Sequence, residues 1–159
     1  DAIVLEPMSK FPVVRDLWVD RNRMYRALIN IKGWVPIDGT YDLGPGPTET
    51  PENQDVRYRL SECMTCGCCL EACPQYLLDN NFAGAAAISQ VRYFNMHKTG
   101  AVLKDERLTA MEGPGGITDC GNAQNCVKVC PKNIPLTESI AVVGRQTTFH
   151  AIKKFFTGK

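Results

Sequence analysis

The sequence contains no apolar run near the roughly 18 residues that a membrane-spanning helix needs, and no segment ordered like a secretory signal. The expectation is a chain that does not cross a bilayer by itself. Net charge is almost absent: 18 basic against 17 acidic residues leave +1, so no global field pulls the chain toward nucleic acid or anionic lipid. Any partner must be recognised by a local patch, and no nucleic-acid partner is expected. Histidine is scarce, and His97 and His150 have no carboxylate or cysteine at ligand spacing, so both read as packing or solvent-exposed residues. The signatures of dinucleotide binding, phosphate-cradling loops and nucleophile elbows are missing, which leaves no catalytic residue to nominate. No stretch alternates with period two for long enough to predict a strand. An initiator methionine is also lacking, and the start at Asp1 suggests a fragment or processed product whose upstream part is absent.

What the chain has is cysteine, eight in 159 residues and bunched rather than dispersed. Bunching argues for metal over disulfides and for a reducing compartment. The run from Cys63 to Pro74 reads C-M-T-C-G-C-C-L-E-A-C-P. Cys63, Cys66, Cys69 and Cys73 follow the C-x2-C-x2-C-x3-C-P spacing that holds cubane clusters in bacterial-type ferredoxins. A second copy, C-G-N-A-Q-N-C-V-K-V-C-P, runs from Cys120 to Pro131 with Ala123 at the second cysteine position.

In two-cluster ferredoxins the fourth cysteine of each motif ligates the other cluster. The first site is thereby assigned Cys63, Cys66, Cys69 and Cys130 and a 4Fe-4S cluster. The second is assigned Cys73, Cys120 and Cys126. Its fourth corner is the methyl of Ala123, which cannot coordinate iron, so a 3Fe-4S cluster is expected there. Cys68 fits neither spacing and reads as a small buried residue whose thiol could replace a neighbour. The competing reading is a pair of zinc sites of four cysteines each in an interaction module with no redox role. Zinc favours two separated C-x2-C knuckles over three cysteines in one turn.

The remaining pattern predicts a mainly helical domain, an all-α ferredoxin arrangement with two cluster-binding turns. One domain over residues 1–159 divides into an initial helix with a Pro/Gly-rich loop (1–54) and a two-cluster core (55–159). Apolar residues recurring at three and four from Phe11 to Gly33 predict one amphipathic helix, with Trp18 and Tyr25 packed on the core. Breakers from Trp34 to Asn53 predict a long surface loop suited to partner contact. Asp55 to Glu62, Gly84 to His97 and Asp105 to Met111 read as helices. A last helix starts at Pro135, with Gly144 and Thr147-Thr148 expected to break it.

With Ala123 at the defective position, the two motifs resemble those of the iron-sulfur subunits of succinate dehydrogenase and quinol:fumarate reductase. Phe11 to Asp20, Gly84 to Phe94 and Cys126 to Pro135 are similar to that family as well. The resemblance implies a missing upstream domain with a 2Fe-2S cluster. It also implies partners, namely a flavoprotein subunit and a membrane-anchor cytochrome b subunit, and a place at the cytoplasmic face of the bacterial plasma membrane. Electrons from succinate would pass through the flavin subunit and the clusters to quinone at the interface. The family's quinone-side positions make Pro74, Tyr76, Gly121 and Ala123 candidate contacts. Where the ubiquinone-using branch carries tryptophan and histidine, this chain has Gln75 to Leu78 and Gly121, a departure that suits the menaquinone-using branch. Alternatives in the same class are a fumarate reductase and a heterodisulfide-reductase-like complex.

Overall fold

The structure is a computed structural model that describes residues 2–36 and 46–158. Much of the predicted Pro/Gly-rich loop, residues 37–45, lies outside the described residues. Its last residues are helical instead. Thr50 Oγ1 accepts a hydrogen bond from the Asn53 backbone N–H, and Pro51 opens helix α2, which is preceded by α1 (Asn22–Asn30) and itself runs Pro51–Ser61. Proline suits a first helical position because its missing N–H would have no partner there.

The predicted helix from Phe11 to Gly33 is corrected in its first half. Val13–Arg15 (β1) and Trp18–Val19 (β2) form an antiparallel hairpin, with Val13 opposite Val19 and Arg15 opposite Trp18. Asp16 turns the chain at φ 49, and the Asp20 N–H returns to Pro12 O at 2.8 Å. Val13 and Val14 are β-branched and stiff, which favours the extended form. Trp18 and Tyr25 are accordingly exposed, at 69% and 54%, while Phe11, Val19, Met24 and Ile31 point inward.

Helix α3 (Cys68–Glu71) is a single turn inside the first cysteine run, and α4 (Gly84–Met96) is the centre of the core. Ala85, Ala86, Ala87, Ile88 and Val91 are all buried on α4. Gly84 sits at φ +83, and a Cβ there would lie 2.1 Å from Leu70 Cδ2, so α4 can start directly against α3 only with glycine. Helices α5 (Lys104–Glu112), α6 (Asn125–Lys128) and α7 (Leu136–Thr157) complete the set. Helix α7 runs unbroken through Gly144. Thr147 and Thr148 return their hydroxyls to Val143 O and Gly144 O, at 2.9 and 3.0 Å, and so satisfy themselves within the helix.

The α4–α7 interface is polar as well as apolar. Arg92 Nη2 donates to Glu138 Oε1 at 2.6 Å, and Asn95 Nδ2 donates to Gln146 Oε1 at 3.2 Å. Arg107 of α5 has no exposed surface and donates to the Lys32 and Trp34 carbonyls, both at 2.9 Å. It also reaches Asn95 Oδ1 at 3.1 Å and Gly100 O at 2.6 Å. These bonds tie α5, α4 and the exit of α1 into one block behind the cysteine loops. Among the described residues no helix is long and apolar enough to cross a membrane.

Candidate metal centre

Two loops carry the cysteines, and they share one backbone plan. In the first, Thr65 (φ 54) and Gly67 (φ 89) are left-handed and α3 follows; in the second, Asn122 (φ 52) and Gln124 (φ 60) are left-handed and α6 follows. Glycine takes the left-handed region freely, and asparagine visits it more readily than most residues. Each pair of reversals curls its loop around a concave space. Asn125 Nδ2 donates to Ala72 O at 3.1 Å and joins the two loops directly.

The concave spaces receive the cysteines in the sets expected from spacing. Cys63, Cys66, Cys69 and Cys130 line one cavity, walled by Met24, Ala86 and Leu136. Cys73, Cys120 and Cys126 line the other, with Ala123 also on its wall. All eight cysteines are free thiols. Burial pushes the Cys69 thiol up to about 12, helped by the thiols of Cys63, Cys66, Cys126 and Cys130. Burial raises Cys63 too, with Cys66 and Cys130 adding to it, and raises Cys126, with Cys120 and Cys73 adding. Thiolates gathered this closely repel one another, and a positively charged core removes that penalty.

The donor set therefore fits iron-sulfur clusters, one cavity with four sulfur donors and one with three. It fits a single ion less well. The second cavity offers three thiols and the Ala123 methyl, one donor short of the set that structural zinc takes. A zinc site would require four donors about 2.3 Å from one centre. Cys68 is only half-buried and is not part of either cavity wall; its thiol lies beside Cys66.

Residues distant in sequence brace the first loop. Ser9 donates its backbone N–H and its hydroxyl to Glu71 Oε1 at 2.9 and 2.6 Å, the Lys10 N–H reaches Glu71 Oε2 at 3.0 Å, and Lys10 Nζ reaches Cys73 O at 3.2 Å. Arg23 stacks over Tyr76, 3.8 Å from the ring centroid, and donates to Asn80 Oδ1, Phe82 O and Leu77 O. None of these braces is visible as a local pattern.

Of the four candidate quinone-side residues, Pro74 and Ala123 are exposed on the wall of the second cavity, and Gly121 is exposed between the lining residues Cys120 and Asn122. Tyr76 is the exception. Its ring is 1% exposed, packed against Phe11 at 5.8 Å and covered by Arg23, so it supports the loop from within and offers no surface to a quinone. Leu77, Leu78 and Val129 are exposed apolar neighbours that spacing did not single out. His150, with no carboxylate at ligand spacing in the sequence, meets a distant one from α5: Nδ1 lies 2.6 Å from Glu112 Oε1.

Comparison with known proteins adds a family to this geometry. The model of the 4Fe-4S dicluster domain matches residues 59–134, which contain both cysteine loops. The succinate dehydrogenase iron-sulfur subunit of Bacillus subtilis is 57% identical over 97% of this chain and 61% of its own length. The fumarate reductase iron-sulfur subunit of Mycobacterium tuberculosis is 33% identical over 94% of the chain and 61% of its own. The succinate dehydrogenase iron-sulfur subunit of Coxiella burnetii is 30% identical over 88% of the chain and 59% of its own. The chain thus spans about three fifths of the length of the curated relatives it matches. With two cysteine loops in the matched domain and identity along almost its whole length, the chain belongs to the family of succinate dehydrogenase and fumarate reductase iron-sulfur subunits.

Proposed function

We propose that this chain is the two-cluster part of the electron-transfer subunit of a membrane-bound succinate:quinone oxidoreductase. The observation that carries the reading is the partition of seven cysteines into a four-thiol cavity and a three-thiol cavity that Ala123 also lines. On this reading the helical arrangement with two cysteine loops is an alpha-helical ferredoxin fold. Cys63, Cys66, Cys69 and Cys130 hold a 4Fe-4S cluster, and Cys73, Cys120 and Cys126 hold a 3Fe-4S cluster. Such clusters, when bound, accept and release one electron at a time.

The protein's own residues determine where those electrons enter and leave. Cys69, Met24, Ala86 and Leu136 are buried and form the inner wall of the first cavity, so that side of the site is packed against the core. Residues Gly121 to Asn125 of the second loop are exposed, and Leu77, Leu78 and Val129 add apolar surface nearby. That asymmetry suits a buried relay followed by an exit toward an apolar acceptor, a quinone held at the membrane-anchor interface. Pro74, Gly121 and Ala123 are the contacts proposed for that side. The small Gly121 and aliphatic Leu77 and Leu78 suit menaquinone. A flavoprotein supplies electrons, a membrane-anchor cytochrome b subunit receives the complex, and the assembly sits peripherally at the cytoplasmic face.

The 57% identity to the succinate dehydrogenase subunit of Bacillus subtilis supports succinate oxidation as the direction. The test is metal and sulfide analysis of anaerobically purified full-length protein. Iron with acid-labile sulfide, and a three-iron paramagnetic signal in the oxidised state, are expected. Zinc without sulfide would end the electron-transfer reading. Ala123→Cys should convert the three-iron signal to a four-iron one, and its persistence would count against the ligand assignment.

A further inference from the structure

The second cavity contains a polar side chain that cysteine spacing does not reveal. Gln75 follows Cys73 and Pro74 and lines that cavity. Cys73 Sγ lies 4.0 Å from Gln75 Oε1. The other end of the amide rests on Gly121, where an added Cβ would come within 2.5 Å of Gln75 Nε2. The backbone beneath it is fixed: Asn80 Nδ2 donates to Gln75 O at 2.6 Å. Asn80 Oδ1 in turn accepts from Arg23 Nη2 at 2.8 Å, Phe82 N at 3.3 Å and Leu77 N at 3.4 Å. The amide is thus delivered to the sulfur by a loop that has little freedom of its own.

A free thiol donates to an amide oxygen, whereas a metal-bound thiolate has no proton and only accepts. The amide's oxygen and nitrogen exchange places by a half-turn about a soft terminal torsion. We propose that in the loaded protein Gln75 presents its Nε2–H to the Cys73 sulfur and thereby raises the reduction potential of the second cluster. This rests on the reading of that cavity as an iron-sulfur site. Reduction adds negative charge to the cluster, a donor at sulfur stabilises the added charge, and hydrogen bonds to sulfur are among the determinants of cluster potential. Gln75 is a positioning residue for potential, not a ligand. Gly121 is its counterpart, because only a residue without a side chain leaves the space that the amide occupies.

The experiment is a redox titration of the anaerobically purified full-length protein, followed by the three-iron paramagnetic signal. Gln75→Leu keeps the bulk and removes the donor. Gly121→Ala keeps Gln75 and displaces its flexible end from the sulfur. Each should lower the midpoint by roughly threefold to tenfold in the reduced-to-oxidised ratio, tenfold being about 59 mV for a one-electron couple. The four-iron signal should titrate as in the unaltered protein, and the double variant should shift no further than the larger single one. A three-iron signal of normal intensity with an unmoved midpoint in Gln75→Leu overturns the inference and leaves the cluster assignment standing. Absence of any three-iron signal in the unaltered protein overturns both. If Gln75→Leu fails to retain its cluster, Gly121→Ala decides alone, and an unmoved midpoint there overturns the inference.

Discussion

Replacing Arg107 by leucine should destabilise the protein by about 3 to 5 kcal/mol, the cost of orphaning its buried acceptors less the relief of burying a charge. The guanidinium is fully buried and makes four hydrogen bonds, to the carbonyls of Lys32, Trp34 and Gly100 and to Asn95 Oδ1. It also lies 5.4 Å from the Phe94 ring centroid. Burial lowers its pKa, with Glu106 opposing, yet a guanidinium starts so high that it remains a cation. Leucine removes every donor at once. Each orphaned acceptor costs about 1 to 3 kcal/mol, so four would total at least about 4 kcal/mol, and relief from burying the charge offsets part of this. Arg107→Lys keeps the charge but offers only three donors without the planar fork, and should cost about half as much. Urea unfolding followed by circular dichroism measures the difference as a shift in midpoint at unchanged slope. A leucine variant within about 0.5 kcal/mol of the original, the spread of ordinary surface changes, would refute the reasoning. So would a lysine variant as unstable as leucine.

Three further outcomes are expected. Gly84→Ala should destabilise by at least about 2 kcal/mol, because the Cβ meets Leu70 at 2.1 Å in a left-handed backbone, and iron content after purification should fall with it. Glu71→Ala removes three hydrogen bonds that hold Ser9 and Lys10 to the first loop, so limited proteolysis should cut the amino-terminal segment faster than in the unaltered protein. His97 has its pKa lowered by burial and then by Arg57, with Glu49 opposing, while its Nδ1 accepts from the Gly100 N–H at 3.1 Å. The unfolded chain therefore takes up this proton first, near the ordinary value of 6.5, and stability present above that pH declines as acid is added below it. His97→Gln should flatten that decline in thermal midpoints measured across the range, and an unchanged slope would assign it to other groups.

The two cysteine-lined cavities were legible in the sequence because cysteines a few residues apart share one loop, and spacing is what a sequence displays. That Cys130 lines the cavity of the first motif and Cys73 that of the second agrees with the exchange expected of two-cluster ferredoxins. The hairpin was not legible: Val14, Leu17 and Trp18 recur at helical intervals, but they face outward, and the turn at Asp16 has no glycine to announce it. Helix α7 was expected to break at Gly144, yet Ser139, Val143 and Thr147 are buried along it, and packing outweighs a single glycine's weak preference. Arg107, the Glu71 clamp and the Glu112–His150 pair join positions 38 or more residues apart in most of their contacts, and no local pattern encodes them. Tyr76 was placed at the surface by analogy of position, whereas Arg23 and Phe11 enclose it.

The left-handed residues of the two loops separate shape from chemistry. Asn122 and Gln124 set the curl of the second loop much as Thr65 and Gly67 set that of the first, and position 123 lies between them. A change at 123 can therefore add or remove a donor without refolding the turn around it. A duplicated binding loop of this kind can lose one ligand and keep its architecture, so its two copies are free to diverge in what they hold while remaining equal in form.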